Sequence, residues 1–144
     1  MKKKRIRPLA ICIFRKNNRI LVAEGYDPVK RQTFYRPLGG AIEFGEYGEQ
    51  TIHRELMEEI GAQVGELKYL GALENIFVFD GKPGHEIVLV YDGVLSEPGL
   101  YEQVLIEGIE AEVDESFKAV WKNMDEFGEE KSILYPTGLL ELLR

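Results

Sequence analysis

Apolar residues along this chain follow two periods, and the switch between them divides it into elements. Leu9 to Phe14 is apolar at every position, as in a strand covered on both faces. Lys16, Asn17 and Asn18 turn the chain, and Arg19 to Ala23 returns as the second arm of a hairpin. Asp27 to Thr33 is polar and predicts a loop able to approach a ligand. Phe34 to Gly40 reads as a short extended segment in which Pro37 ends pairing and two glycines permit tight backbone geometry. The period then lengthens: Ile52, Leu56 and Ile60 recur at i, i+4 and i+8, one stripe of a helix. Beyond it, Val64 to Leu73 mixes apolar residues with Gly65 and Gly71. Ile76 to Phe79 and Ile87 to Tyr91 flank Asp80-Gly81-Lys82-Pro83-Gly84, a long hairpin by its turn chemistry. Ser96 to Asp114 is acidic and reads as irregular, Phe117 to Trp121 as a strand, and Leu139 to Leu143 as a terminal helix. Strands buried on both faces need helices on both sides. The prediction is one α/β domain over residues 1–144, an α/β/α sandwich with a mixed central sheet.

The central helix carries a second pattern beside its apolar stripe. At about 100° per residue, Glu55, Glu58 and Glu59 fall in one sector of roughly 100°. Glu55 with Glu58 and Glu55 with Glu59 are like-charge neighbours, each pair costing a helix about 0.2–0.5 kcal/mol when no cation intervenes. A divalent cation removes that cost, and an all-oxygen ligand set suits Mg²⁺ or Mn²⁺ better than Zn²⁺. From these residues alone, a solvated glutamate face with Arg54 and Glu58 paired at i, i+4 is the alternative.

Gly40, Glu46, Arg54, Glu55, Leu56, Glu58, Glu59, Gly61 and Ala62 stand at the spacings G-x5-E-x7-R-E-U-x-E-E-x-G-U, where U is apolar. With each of the seven fixed types at roughly 7% of positions, chance supplies about one such window in 10⁸. The run Gly40 to Ala62 resembles the Nudix box of the Nudix hydrolases, enzymes that cleave nucleoside diphosphates linked to another moiety. The resemblance implies a Nudix-type sandwich and hydrolysis of a diphosphate bond by water attack on phosphorus, with Mg²⁺ as cofactor and Mn²⁺ as a substitute. It implies Glu55, Glu58 and Glu59 as metal ligands, Glu55 also as a candidate base, and Arg54 as the residue that orients Glu55. By the same resemblance Gly39 offers its carbonyl to the metal and Glu46 contacts it directly or through water. A further acid from outside the box is implied too, with Glu107, Glu110 and Glu112 as candidates. Ala62 is smaller than the Ile, Leu or Val usual in the family, at a position that packs rather than reacts.

Charge narrows the partners. Lys plus Arg number 18 against 25 for Asp plus Glu, a formal net charge of −7, which argues against non-specific nucleic-acid binding because that depends on basic surface. A small-molecule nucleotide still binds if metal and local cations such as Lys30, Arg31 and Arg36 offset the field. His85-Glu86 opens a strand after a glycine-rich turn, so that His85 either touches substrate or caps the hairpin. Tyr26, Phe34, Tyr35 and Phe77 either stack on a base or fill the core. The single cysteine, Cys12, sits between Ile11 and Ile13 and forms no internal disulfide, which fits an inert core thiol in a reducing, cytoplasmic compartment. Met1-Lys2-Lys3-Lys4-Arg5 is followed by Ile6-Arg7-Pro8 rather than an apolar run, so neither a signal peptide nor a membrane span is expected. A homodimer is left open. None of the added signatures that mark coenzyme A, NADH or dinucleoside polyphosphate cleavage in this family is visible, so nucleoside triphosphates, ADP-ribose and nucleotide sugars all stay in view. The rival class is a Nudix-fold module that senses a nucleotide without cleaving it. Such modules commonly lose box glutamates, and this chain keeps them.

Overall fold

The fully apolar first strand folds as its composition demands: alternate side chains enter opposite cores. In the computed structural model, which describes residues 3–110 and 113–144, β1 (Ile6–Ile13) and the residue after it send Ala10, Cys12 and Phe14 to one side. There they meet Ile52 and Leu56 of helix α1 (Gly48–Ile60). Leu9, Ile11 and Ile13 point the other way, toward Phe127 and Leu139, the latter opening helix α2 (Leu139–Leu143). With only five residues, α2 cannot cover that face alone, and Met124 and Phe127, at a 3₁₀ turn over Met124–Glu126, complete it.

Between these layers lies a mixed sheet. Its other strands are β2 (Arg15–Lys16), β3 (Arg19–Asp27), β4 (Gln32–Ala41), β5 (Val64–Phe79), β6 (Lys82–Leu95), β7 (Leu105–Glu110), β8 (Glu115–Asn123) and β9 (Ile133–Leu134). The order is β5-β6-β1-β4-β3-β8-β7, with β2 on β3 and β9 on β4. β1 runs parallel to β6 and antiparallel to β4. The α/β/α sandwich with a mixed sheet is therefore the observed architecture, and no helix of the described residues is long and apolar enough to cross a membrane.

Three expectations change. Pro37 does not end pairing: residues 32–37 pair with β3, and residues 38–41 pair with β1. The residue without an N–H thus stands where the strand exchanges partners, a place that tolerates it. The described residues of Ser96 to Asp114 are not irregular throughout. They hold a 3₁₀ turn at Pro98–Glu102 and the edge strand β7, which pairs with β8 from Leu105↔Val120 to Glu110↔Glu115. Its acidic outward residues masked the inward pair Ile106 and Gly108. Finally, the two apolar segments after α1 merge into the single strand β5, interrupted by register shifts near Gly65 and Gly71.

The partner exchange in β4 is what makes a site. β1 and the β3–β4 ribbon flank one cavity of about 570 Å³, lined by Leu9 and Ile11 from the first and Ala23 and Gly25 from the second. Gly39 lies at the exchange with φ +152°, and a Cβ there would fall 2.1 Å from the Ala10 carbonyl oxygen. Only glycine lets β4 approach β1 so closely.

Candidate active site

Helix α1 begins where Gln50 Oε1 accepts a 2.7 Å hydrogen bond from the Tyr47 N–H. It ends at Gly61, whose φ of +65° lets its N–H reach Met57 O at 3.0 Å while Ala62 N–H reaches Leu56 O at 3.2 Å. The glycine of the sequence pattern is therefore a helix stop, and Ala62, buried in one cluster with Val64, occupies a packing position. Between these ends the buried positions are Gly48, Thr51, Ile52, Glu55, Leu56 and Glu59. Two carboxylates one turn apart share the stripe that would ordinarily be apolar.

Arg54 braces the approach to this helix. Its Nε and Nη2 donate to both oxygens of Glu46, at 2.7 and 3.0 Å, its Nη2 also donates to Ala41 O at 3.0 Å, and its Nη1 donates to Glu55 Oε1 at 2.8 Å. Glu46 accepts from Thr51 Oγ1 and the Glu43 N–H as well, and the hydrogen bonds from Arg54 are the main reason its carboxyl falls to about 2. In this structure Glu46 is committed to Arg54 rather than to the carboxylate group beyond it. Glu58, half-exposed, likewise turns to Arg54 Nη1 at 3.4 Å.

The group that does converge is Glu55, Glu59 and Glu110, each offering a carboxylate oxygen within 4.8 Å of the others. Glu110 comes from the end of β7, on the side of Ile106 and Gly108, which pack toward α1. Glu107, three residues earlier, alternates to the exposed face. Glu112 lies outside the described residues. Glu59 is 5% exposed, and its Oε1 has no hydrogen-bond partner among the described residues. Burial first, then the charges of Glu110 and Glu55, push its carboxyl up to about 9, with the Gly39 backbone opposing. Glu55 is also raised, chiefly by burial and against the pull of Arg54. An orphaned buried carboxylate oxygen beside two further carboxylates is a donor set suited to a hard cation.

The strand beneath was built to admit these acids. A Cβ on Gly40 would lie 2.4 Å from Glu55 Cδ, and the flexible carboxylate would yield sooner than the sheet. Gly40→Ala is accordingly expected to keep the melting temperature nearly unchanged while lowering turnover about tenfold by displacing Glu55. Parallel melting curves and steady-state rates check this, and an equally active variant would show that the position of Glu55 does not matter.

Glu55, Glu59, Glu110, Gly39 and Gly40 all line the cavity, as do Arg36 and Lys30, whereas His85 does not. His85 is half-buried and pairs with Ile6 and Ile76, and the residue that reaches the cavity is its neighbour Glu86. A signal for Glu86 existed: period two places it with Val88 and Val90, so a charge falls on a buried face. Phe34 and Phe77 line the cavity too, while Tyr35 packs on the α2 side and Tyr26 is exposed.

The NUDIX domain family model matches residues 3–137. The NAD-capped RNA hydrolase NudC of Pseudomonas syringae pv. tomato is 35% identical over 68 residues, 47% of this chain and 24% of that protein. The same enzyme of Vibrio vulnificus is 38% identical over 68 residues, 47% and 25% of the two. The chain matches about a quarter of the length of these curated relatives. Among solved structures, a MutT NUDIX hydrolase from Burkholderia pseudomallei aligns with TM-score 0.69 and 19% identity over 98% of this chain and all of that one. A NUDIX hydrolase from Nitrosomonas europaea aligns with TM-score 0.65 and 17% identity, over 96% and 86%. At such identities these two speak for the fold, which is the Nudix type.

Proposed function

This chain belongs to the Nudix family of hydrolases, and from that premise we propose that it hydrolyses a diphosphate bond in a nucleoside diphosphate linked to another moiety, by water attack on phosphorus. The observation that carries this reading is the convergence of Glu55, Glu59 and Glu110, with a buried oxygen of Glu59 that lacks a partner among the described residues. These residues would hold Mg²⁺, or Mn²⁺ in its place, which when bound neutralises phosphate oxygens and acidifies water. Glu58 and the carbonyl of Gly39 are further ligands in this reading. Glu55, oriented by Arg54, is the candidate base. Arg54 itself is fixed by Glu46, so the Glu55 oxygen it holds is positioned before substrate arrives. Arg36 offers the substrate a cation in a chain that is acidic overall. A cavity of about 570 Å³ lies in the range of small-ligand sites, and relatives named for NAD-capped RNA hydrolysis support a nucleotide-linked diphosphate as the bond attacked.

The test is a panel of nucleoside triphosphates, ADP-ribose and nucleotide sugars incubated with Mg²⁺ or Mn²⁺ in ¹⁸O-labelled water. Label is expected on one phosphorus-containing product, and its position identifies the phosphorus attacked. Should the panel bind and none of it be cleaved, the chain is a nucleotide-sensing module.

A further inference from the structure

Away from the three carboxylates, the cavity has a second polar pole. Glu86 lines it yet is only 2% exposed. Asn75 Nδ2 donates to its Oε1 at 3.2 Å, Arg36 Nη2 stands 3.5 Å from that oxygen, and Arg7 Nη1 stands 3.9 Å from its Oε2. Asn75 is buried and fixed in turn, its Oδ1 accepting from the Thr137 N–H at 3.1 Å. A carboxylate has about four acceptor sites, and among the described residues Glu86 accepts one hydrogen bond. Much of its capacity is left for a ligand. Phe34, Phe79 and Tyr135 line the same cavity, with Phe34 meeting the edges of the other two rings at 5.8 and 5.6 Å. Aromatic faces of this kind stack on nucleobases of any sequence, so discrimination has to come from polar groups at the base edge.

We propose that this pole is a nucleobase subsite and that Glu86 is its specificity-determining residue, selecting a guanine-type base. The inference rests on the nucleotide reading of the site. A guanine edge presents two adjacent N–H donors beside one carbonyl acceptor. Its complement is two acceptors beside a donor, which a carboxylate flanked by a guanidinium supplies through Glu86 and Arg36. Adenine would turn its ring acceptor toward the carboxylate, and cytosine would turn two. Uracil has one donor between two acceptors. Each of these leaves a buried charged oxygen of Glu86 unpaired or opposed, the condition under which polar sites reject a wrong ligand most strongly.

Calorimetric binding of GMP, IMP and AMP to the full chain tests this without any bond being cleaved. GMP is expected to bind about tenfold more tightly than IMP, which lacks the second donor, and still more tightly than AMP. Glu86→Gln is expected to weaken GMP about tenfold and AMP about twofold or less, with its melting curve and Mn²⁺ binding serving as controls on the fold. Equal binding of GMP and AMP to the unmutated protein overturns the proposal whatever the variant does. So does absence of GMP binding, or a variant that leaves GMP unchanged or weakens all three alike. A GMP preference in a protein that cleaves no nucleotide keeps the subsite and removes hydrolysis, whereas cleavage without base preference does the reverse.

Discussion

Glu59→Gln is expected to lower turnover on the order of 10²-fold and, in metal-free protein at neutral or higher pH, to raise stability. The two effects have one cause. Glu59 holds a buried oxygen with no partner among the described residues, beside the charges of Glu110 and Glu55, an arrangement useful for a cation and costly without one. In the folded protein its carboxyl is pushed from 4.5 up to about 9. Below pH 4.5 the folded and unfolded chains both carry this proton. Between pH 4.5 and about 9 the unfolded chain has released it and the folded chain has not, so stability falls as pH rises, and above about 9 the loss is complete. Glutamine is nearly isosteric and cannot ionise, and it places an N–H donor beside carboxylates. A gain of about 1–3 kcal/mol at pH 8 follows from relieving one unsatisfied buried group. Melting in excess chelator across pH 4 to 10 should show the variant overtaking the unmutated protein as pH rises, with the gap flat beyond about 9. Normal turnover in this variant would falsify its place in the site.

Removal of divalent cations is expected to abolish turnover, and their return to restore it. Three carboxyl groups lie within 4.8 Å of one another, and those that are ionised repel any phosphate brought among them. A bound cation reverses that field and stabilises the folded chain by mass action. Because Glu59 holds its proton to about pH 9, a cation must displace it, so the rise in melting temperature on adding Mg²⁺ should grow from pH 6 to pH 9. Full turnover in metal-stripped protein with excess chelator would end the metal-dependent reading. A Mg²⁺ effect on melting that does not change with pH would separate the cation from Glu59.

What could be read from the chain alone was set by separations of a few residues. The period of one helix places Glu55 and Glu59 one turn apart beside Ile52 and Leu56, and the glycine at 61 stops it, all without reference to the rest of the molecule. β1, apolar at every buried position, already required cover on two faces. Pro37 departs from its sequence expectation because its missing N–H forbids one hydrogen bond but not the exchange of one strand partner for another. The third carboxylate could not be chosen among Glu107, Glu110 and Glu112, because the choice depends on β7 pairing with β8, and acidic outward residues hide that edge strand.

The sequence by itself determined the family, the helix and its acidic face of Glu55, Glu58 and Glu59, since each depends on local spacing and on backbone rules that act within a turn, while the burial of Glu55 and Glu59 but not Glu58 came from the packing around that helix. Only the tertiary structure decided that Glu46 is taken up by Arg54, that Glu110 joins Glu55 and Glu59, and that Glu86 rather than His85 enters the cavity. Those contacts join residues 8, 51 and 55 positions apart, or depend on which face of a strand is turned inward. Strand partners far along the chain fix them, and no local period records that pairing.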